Sequence, residues 1–432
     1  MLITEELESR VLLSVIPSDP KFSYQWGMDA IRVAKAWSVT QGSYGVVVAH
    51  VDTGVDYRHP DLYQNIWINQ AEIPPAVREA VTDVDEDGII TFADLNSPIN
   101  KGVFGVNDLN KNGYIDAGDL LRPYRDDGRG GWTDGVNGPT WPGETLYVDD
   151  IIGWDFANND NDPFDYDGHG THTAGIIGAM GNNGRGVAGV AWQVSLMVLK
   201  IFTDTGKPCS DPRTAAAVRY SASAGAPIAN HSWSSGGKNG DIIYRAIDYA
   251  RDKGQLVIAA AGNDAVNNDY SSLASYPASY NLPNIISVAA CTSSGSLATW
   301  SSWGRRTVDL AAPGVRILST IPGGRYTYYS GTSMATAFVS GTAALLLAAD
   351  PSLSADDIKT RILDGADQSW WLIGLTASGG RLNAAKSVLN IRGITMQATR
   401  TAAAASTQTA QAPSVQRLAT WLFAEEARPL LS

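Results

Sequence analysis

A doubly wound, mostly parallel α/β sheet with helices on both faces is what this sequence predicts, and two observations carry the prediction. Short continuous runs of β-branched and small apolar residues recur along the chain, as strands buried on both faces require. Stretches of helical length separate them, and strands alternating with helices wind into a parallel sheet.

The predicted strands are GVVVAHV (45–51), VSLMVLKIF (194–202), APIANHSW (226–233), QLVIAAAGN (255–263) and NIISVAAC (284–291). The predicted helices are the stretch beginning near His169, DPRTAAAVRYSASAG (211–225), the amphipathic GDIIYRAIDYARDKG (240–254) and the apolar SGTSMATAFVSGTAALLLAA (330–349). Two more follow at SADDIKTRILDGA (354–366) and GRLNAAKSVLN (380–390), the first opened by a near capping box of Ser354 and Asp357. In such sheets, sites collect at the carboxyl ends of the strands. Beyond about residue 392 the chain turns to low-complexity ATRTAAAASTQTAQAPS, read as a mobile tail, with VQRLATWLFAEEA as an amphipathic helix within it.

The chain has 432 residues, and its 44 acidic against 32 basic side chains leave a net charge of -12. That excludes nucleic acid and anionic membrane as main partners and suits cation binding. Two cysteines, Cys209 and Cys291, make no disulfide scaffold; free thiols are expected, with a single bridge as the alternative. No apolar run is expected to span a membrane, which takes ~18 residues. The N-terminus lacks the basic region and the apolar length of a secretory signal.

The helix at 330–349 poses the functional question, because Ser330, Gly331, Thr332 and Ser333 crowd its start. One hydroxyl suffices for a cap. A serine there, at the positive end of the helix dipole, is either a cap or a nucleophile. Two other stretches decide between these. VVVAHVDTGVDYRHPDL (46–62) ends a strand on Asp52, and DGHGTHTAGIIGA (167–179) starts a helix near His169. Alone, DTG is a strand-end turn and HGTH a metal-site candidate without further ligands. Together, the chain order Asp, His, Ser is that of subtilisin.

On these motifs the chain resembles the subtilisin-like serine proteases (subtilases), thermitase-like members above all, across roughly residues 19–390. The resemblance implies a subtilisin-like fold and a serine endopeptidase that cuts proteins through an acyl-enzyme. Ser333 would be the nucleophile, His169 its base, Asp52 the group orienting His169, and Asn263 an oxyanion donor beside the Ser333 N–H. Ser232, Trp233 and Ser234 would pair with the substrate backbone by strand addition. The small Ala260, Ala261 and Gly262 would leave room for a substrate side chain. His172 is read as a core histidine or one supporting the site. The implied partners are protein or peptide substrates, without nucleic acid or membrane; the implied state is a monomer outside the cell. LESRVLLS near the N-terminus resembles a short leader of some exported bacterial proteins.

The chain departs from the family at Ala337, where a proline is usual, at His50, where an apolar residue is usual, and at Ser234, where glycine is common. With the catalytic domain starting near residue 19, it is expected to fold without a pro-region, helped by calcium. The alternative function is a non-catalytic calcium-binding adhesion or matrix module on the same scaffold.

Calcium is expected at three places. His169 follows Asp52 by 117 residues, against roughly thirty in subtilisin, so about 80 residues are inserted. The insertion, at about 70–150, holds DVDEDGIITFAD (83–94) and DLNKNGYIDAGD (108–119). Both follow EF-hand spacing, with oxygen ligands from Asp83, Asp85, Asp87, Ile89 and Asp94, and from Asp108, Asn110, Asn112, Tyr114 and Asp119, around turns at Gly88 and Gly113. The starts are 25 residues apart, too close for a paired four-helix lobe. By resemblance to thermitase, Asp155, Asn158, Asp160 and Asp162 form a second set. By resemblance to the family's strong site, Asp19, Asp61 and Asn183, with the carbonyls of Arg185 and Val187, form a third. The expected organisation is thus a leader-like 1–18, a catalytic domain 19–392 and a tail 393–432.

Overall fold

The structure, a computed structural model, describes residues 14–136, 138, 141, 147–236, 241–270 and 272–389. Most of the leader-like segment and the whole tail, with its expected helix, lie outside the described residues.

In chain order the strands are β1 (Gly42–Asp52), β2 (Gly153–Asp155), β3 (Gln193–Lys200), β4 (Ile228–His231), β5 (Ser235–Gly236) and β6 (Leu256–Ala260). They continue as β7 (Ser275–Tyr276), β8 (Ile285–Cys291), β9 (Leu310–Pro313), β10 (Ile317–Ile321), β11 (Arg325–Tyr329), β12 (Asp367–Gln368) and β13 (Gly380–Arg381). Nine form one sheet in the order β12-β13-β9-β8-β6-β4-β1-β3-β2. Its neighbours run parallel except for the β12–β13 pair at one edge. The fold is the predicted α/β class. β1 lies between β3 and β4, with residues 47–52 paired to Ser195–Lys200 on one side and residues 48–51 to Ile228–His231 on the other.

Successive side chains of a strand point to opposite faces. On β1, Val46 and Val48 join the core that holds Ile176 and Ile177 of the helix His169–Gly178 and Leu345 and Leu346 of the helix Thr332–Ala349. Ala49 and Val51 join the opposite core, with Val218 of Asp211–Ser223 and Ile247 of Asp241–Asp252. Full burial of each such aliphatic side chain contributes about 1.5–3 kcal/mol. By the same alternation His50 and Asp52 share the face of Val48, towards the helices that carry His169 and Ser333.

The helix Thr332–Ala349 has 18 residues and a mean hydropathy of 1.5, the length and character of a membrane span, contrary to the sequence expectation. Burial of 89% of it inside the fold accounts for this composition, since a helix enclosed by protein is apolar all round. The last predicted helix is shorter than expected, Ala384–Val388, because Asn383 caps it and Gly380–Arg381 joins the sheet. Ser354 and Asp357 form a complete capping box. Cys209 and Cys291 are both free thiols.

The insertion is built into the domain. Phe92, Leu95, Ile115, Leu120 and Trp132 belong to the same core cluster as Val48. Trp132 is fully buried, and its Nε1–H donates to the Gly105 carbonyl at 2.9 Å.

Candidate active site

Asp52 is the last residue of β1, Ser232 follows the end of β4, and Asn263 lies three residues past the end of β6. The carboxyl edge of the sheet therefore gathers these three around the starts of two helices. His169 opens one of them, and its Nδ1 lies 2.7 Å from Asp52 Oδ1. The close approach of that helix to the strand end needs Gly170, where an added Cβ would meet the Gly54 carbonyl at 2.1 Å. Asp165, unmarked by the sequence reading, organises the turn before it. Its Oδ1 accepts from Thr53 Oγ1 at 2.9 Å and Gly168 N–H at 2.9 Å, and its Oδ2 from Thr171 N–H at 2.8 Å.

Asp52 is 1% exposed. Burial pushes its carboxyl up, but the His169 charge and hydrogen bond, helped by the Thr53 N–H at 2.7 Å, outweigh it and hold Asp52 below its ordinary value. For His169 the balance is reversed. Burial pulls the imidazole down, and the Asp52 charge and hydrogen bond hold it above its ordinary value. An imidazole fixed through Nδ1 leaves Nε2 to take a proton.

Ser333 is the second residue of the helix Thr332–Ala349 and is 7% exposed. Its Oγ donates to the Ser232 carbonyl at 2.9 Å, and Ser232 Oγ returns a bond to the Ser333 carbonyl at 3.0 Å. In this rotamer the hydroxyl is on the Ser232 carbonyl and makes no hydrogen bond to His169. Behind the pair, Asn230 Nδ2 donates to Ser232 Oγ at 2.9 Å and Ser340 Oγ to Asn230 Oδ1 at 2.8 Å. Asn230 and Ser340 had no sequence signal beyond their place on a strand end and on one helix face.

Asn263 is exposed, and its Oδ1 accepts from the Thr332 N–H at 2.9 Å and the Thr332 hydroxyl at 3.0 Å. Two donors on the oxygen turn the Nδ2 group away from Thr332. A Cβ added at Gly331 would lie 3.7 Å from Ser333 N and 3.9 Å from Asn263 Nδ2, so both nitrogens lie close to one point at the helix start. Ser232 is buried, Trp233 half-buried and Ser234 exposed, and the chain then bends into β5, which pairs with β7. Ala260, Ala261 and Gly262 are buried. Beside Gly262 lies Ser275, whose Oγ would sit 2.5 Å from an added Cβ, so only glycine fits there. His172 is a core residue, its Nε2 within 3.0 Å of the Ile317 carbonyl and its ring stacked on Tyr329.

The two EF-hand-spaced loops share one geometry. Asp83 Oδ2 accepts from Gly88 N–H at 2.8 Å, and Asp108 Oδ2 from Gly113 N–H at 2.9 Å. Both glycines have positive φ, 89° and 98°, as the sharp turn requires. Each loop ends in a one-turn helix with a capping box, Thr91 with Asp94 and Asp116 with Asp119. The backbone at loop position 8 does not pair loop to loop. Gln70 brackets Ile90 (2.9 Å to its N–H and 2.9 Å to its carbonyl), and Asn96 brackets Ile115 (both 2.8 Å). Oxygens of Asp83, Asp85 and Asp87 lie within 4.8 Å of one another. Burial and the neighbouring Asp87, Asp94 and Asp83 push Asp85 up. In the second loop burial pushes Asp116 up to about 6. An all-oxygen set under mutual repulsion fits a hard cation.

The third set also converges. Asp61 Oδ1 accepts from Asn183 Nδ2 at 2.9 Å, Asp19 Oδ1 accepts from the Asn183 N–H at 3.3 Å, and both carboxylates are buried. Among the described residues no basic side chain pairs with either, and burial, with Asp61 nearby, pushes Asp19 up. The second set carries its own cation instead. The Lys200 ammonium, 1% exposed, lies 3.1 Å from Asp155 Oδ2, contacts Asp204 and sits 5.1 Å from the Tyr166 ring centroid. Lys200 thus neutralises Asp155 from within, while burial, with Asp155 and Asp162 nearby, still pushes Asp160 up. Lys200 is the last residue of β3, and its pairing to this loop left no trace in the loop's own spacing.

A family model described as the subtilase family matches residues 43–407. The thermophilic serine proteinase of Bacillus sp. (strain AK1) is 32% identical over 332 residues, 76% of this chain and 59% of that protein, so the chain spans about three fifths of it. Thermitase of Thermoactinomyces vulgaris is 32% identical over 381 residues, 86% of this chain and 99% of thermitase. A solved protease from Pseudoalteromonas arctica PAMC 21717 is similar in structure, with a TM-score of 0.57 and 26% identity over 87% of this chain and 99% of that one.

Proposed function

The chain belongs to the subtilase family of serine-type endopeptidases, and from that premise we propose that it hydrolyses peptide bonds of proteins with Asp52, His169 and Ser333 as its triad. The observation that carries this reading is the 2.7 Å contact of His169 Nδ1 with Asp52, at a strand end facing the helix that begins with Thr332 and Ser333. The reading requires the Ser333 hydroxyl to leave the Ser232 carbonyl for Nε2 of His169. Such catalytic contacts often close only when substrate is bound. His169 then takes the Ser333 proton as Oγ attacks the scissile carbonyl, and Asp52 stabilises the imidazolium that forms. The oxyanion is met by the Ser333 N–H and Asn263 Nδ2. Collapse of the intermediate releases the amine, which receives the proton from His169, and water hydrolyses the acyl-enzyme by the same steps. Ser234 and its neighbours offer main-chain groups to an extended substrate. Covalent labelling of the chain by a fluorophosphonate probe tests the reading; a chain that resists the probe overturns it.

Asn263→Ala is expected to lower kcat by roughly 10²–10³ with little change in KM, the range known for the corresponding donor in subtilisin. Steady-state kinetics on a chromogenic peptide decides it, since an asparagine that merely binds substrate would raise KM instead.

Calcium bound by the two loops of the insertion and by the Asp19–Asp61 set would screen like charges and stabilise the fold, without entering the chemistry. Unfolded chain lacks these cages, so each site held at a hundred times its Kd adds roughly 2.7 kcal/mol. Chelation is expected to lower Tm by roughly 3 °C per occupied site. Differential scanning calorimetry with and without chelator measures this. Asp83→Ala and Asp108→Ala should each remove part of the response. We place the enzyme outside the cell, where free calcium is high enough for loops with these short Asp ligands at position 12.

A further inference from the structure

We propose that His50 and Thr173 are positioning residues that orient Asp52 through a one-way hydrogen-bond chain, His50 Nε2–H to Thr173 Oγ, and Thr173 O–H to Asp52 Oδ2. The inference rests on the triad reading above and deepens it.

The distances are 2.9 Å for His50 to Thr173 and 3.2 Å for Thr173 to Asp52. All three groups are buried. Asp52 Oδ1 already accepts two N–H donors, from His169 and Thr53. Oδ2 accepts from Thr173, and among the described residues from no other protein group. One hydroxyl proton therefore decides whether that oxygen is satisfied.

That proton has competitors. Thr173 Oγ is also 3.2 Å from the His169 carbonyl and 3.1 Å from the Gly170 carbonyl, the usual back-bonds of a threonine within a helix. His50 could likewise draw the proton, if its Nε2 were the bare nitrogen. Its other nitrogen settles the tautomer. Nδ1 is buried without a partner. An orphaned N–H is rarer than an unsatisfied acceptor, so the proton sits on Nε2. Nε2–H then donates into the hydroxyl, turns its proton away from the imidazole and polarises it towards the carboxylate.

The groups around His50 keep it in this state. On its own strand lies Asp52, and on the helix of Thr173 lies His169. The flanking strands present Val198 and Asn230, which carry no charge. Burial pushes His50 down to about 4, so it is neutral where the enzyme works.

The test compares wild type, Thr173→Val, Thr173→Ser, His50→Val and His50→Gln by kcat, KM and the pH profile of kcat/KM, with Tm recorded for each. Thr173→Val is expected to lower kcat roughly tenfold at unchanged KM, the loss of one hydrogen bond to a charged group. It also concentrates charge on Asp52. That favours the imidazolium, so the acid limb of the profile moves to higher pH. His50→Val should act in the same direction with a smaller amplitude. Thr173→Ser and His50→Gln, which keep the hydroxyl and an N–H donor, should restore the wild-type profile. If His50→Val folds poorly, the Thr173 pair carries the same comparison. Labelling by the fluorophosphonate probe separates the two readings. A wild type that resists the probe overturns the triad itself. Normal labelling with acid limbs unmoved in both valine variants, or a His50→Gln indistinguishable from His50→Val, overturns the positioning pair alone.

Discussion

Ser333→Ala is expected to lower kcat roughly a million-fold, as removal of the nucleophile does in subtilisin, and to abolish fluorophosphonate labelling. The physical reason is that only Oγ can form the acyl bond; what remains is the oxyanion donors and substrate binding, worth about 10³–10⁴ over water. KM should change little. The same substitution removes the donor to the Ser232 carbonyl, which costs about 1 kcal/mol of stability and so leaves the protein folded. Calorimetry beside the kinetics separates the two effects. Activity within a hundredfold of wild type in a purified Ser333→Ala protein would place the nucleophile elsewhere, and the Ser333 hydroxyl would only tie the helix start to Ser232.

What the sequence made legible was whatever local rules enforce. The five predicted strands fall on β1, β3, β4, β6 and β8, because a strand covered on both faces must be continuously apolar. Three of them stop earlier than predicted, β3 at Lys200, and β4 at His231 and β6 at Ala260, where the chain leaves the ladder for the site. β9 is only LAAP, and β12 and β13 have two residues each, too short for any periodicity. The hairpin of β10 and β11 turns on Pro322, Gly323 and Gly324, a signal that was present and passed over.

At the site the division is sharper. Asp52, His169 and Ser333 were visible because each is tied to a motif on its own element. Their supports were not, because every one is paired across the chain. Asn230 and Ser340 meet from 110 residues apart, His50 and Thr173 from 123. Lys200 lies outside the 155–162 loop whose charge it balances. His50 was noticed as a departure, but its meaning depended on a threonine that no spacing rule singles out. The calcium loops behaved alike: ligand spacing was readable, whereas the roles of Gln70 and Asn96 required knowing which backbone groups the loops leave unpaired.

Asp52→Asn is expected to lower kcat by about 10⁴, close to the loss known when the orienting acid is removed from subtilisin. Here the charge and the geometry can be told apart. Asp52 Oδ1 faces two N–H donors and Oδ2 faces a hydroxyl, so the amide of Asn places its oxygen at the first position and its NH₂ at the second. Thr173 Oγ can accept from that NH₂ by turning its own proton to the His169 or Gly170 carbonyl. His169 therefore keeps its Nδ1–H tautomer, and the loss reflects the missing charge. The Asp52 carboxylate holds His169 above its ordinary value, and without it the imidazolium is less stable. The His169 titration, followed by NMR of the imidazole protons, should accordingly move to lower pH. Adding Thr173→Val strands the NH₂ without an acceptor, which favours the flipped amide and forces His169 into the unproductive tautomer. The double variant should then be slower than Asp52→Asn by more than the Thr173→Val factor alone, a coupling expected of groups in one hydrogen-bond network. Multiplicative losses, with the same His169 titration in single and double variants, would show that Thr173 has no part in setting the orientation at Asp52.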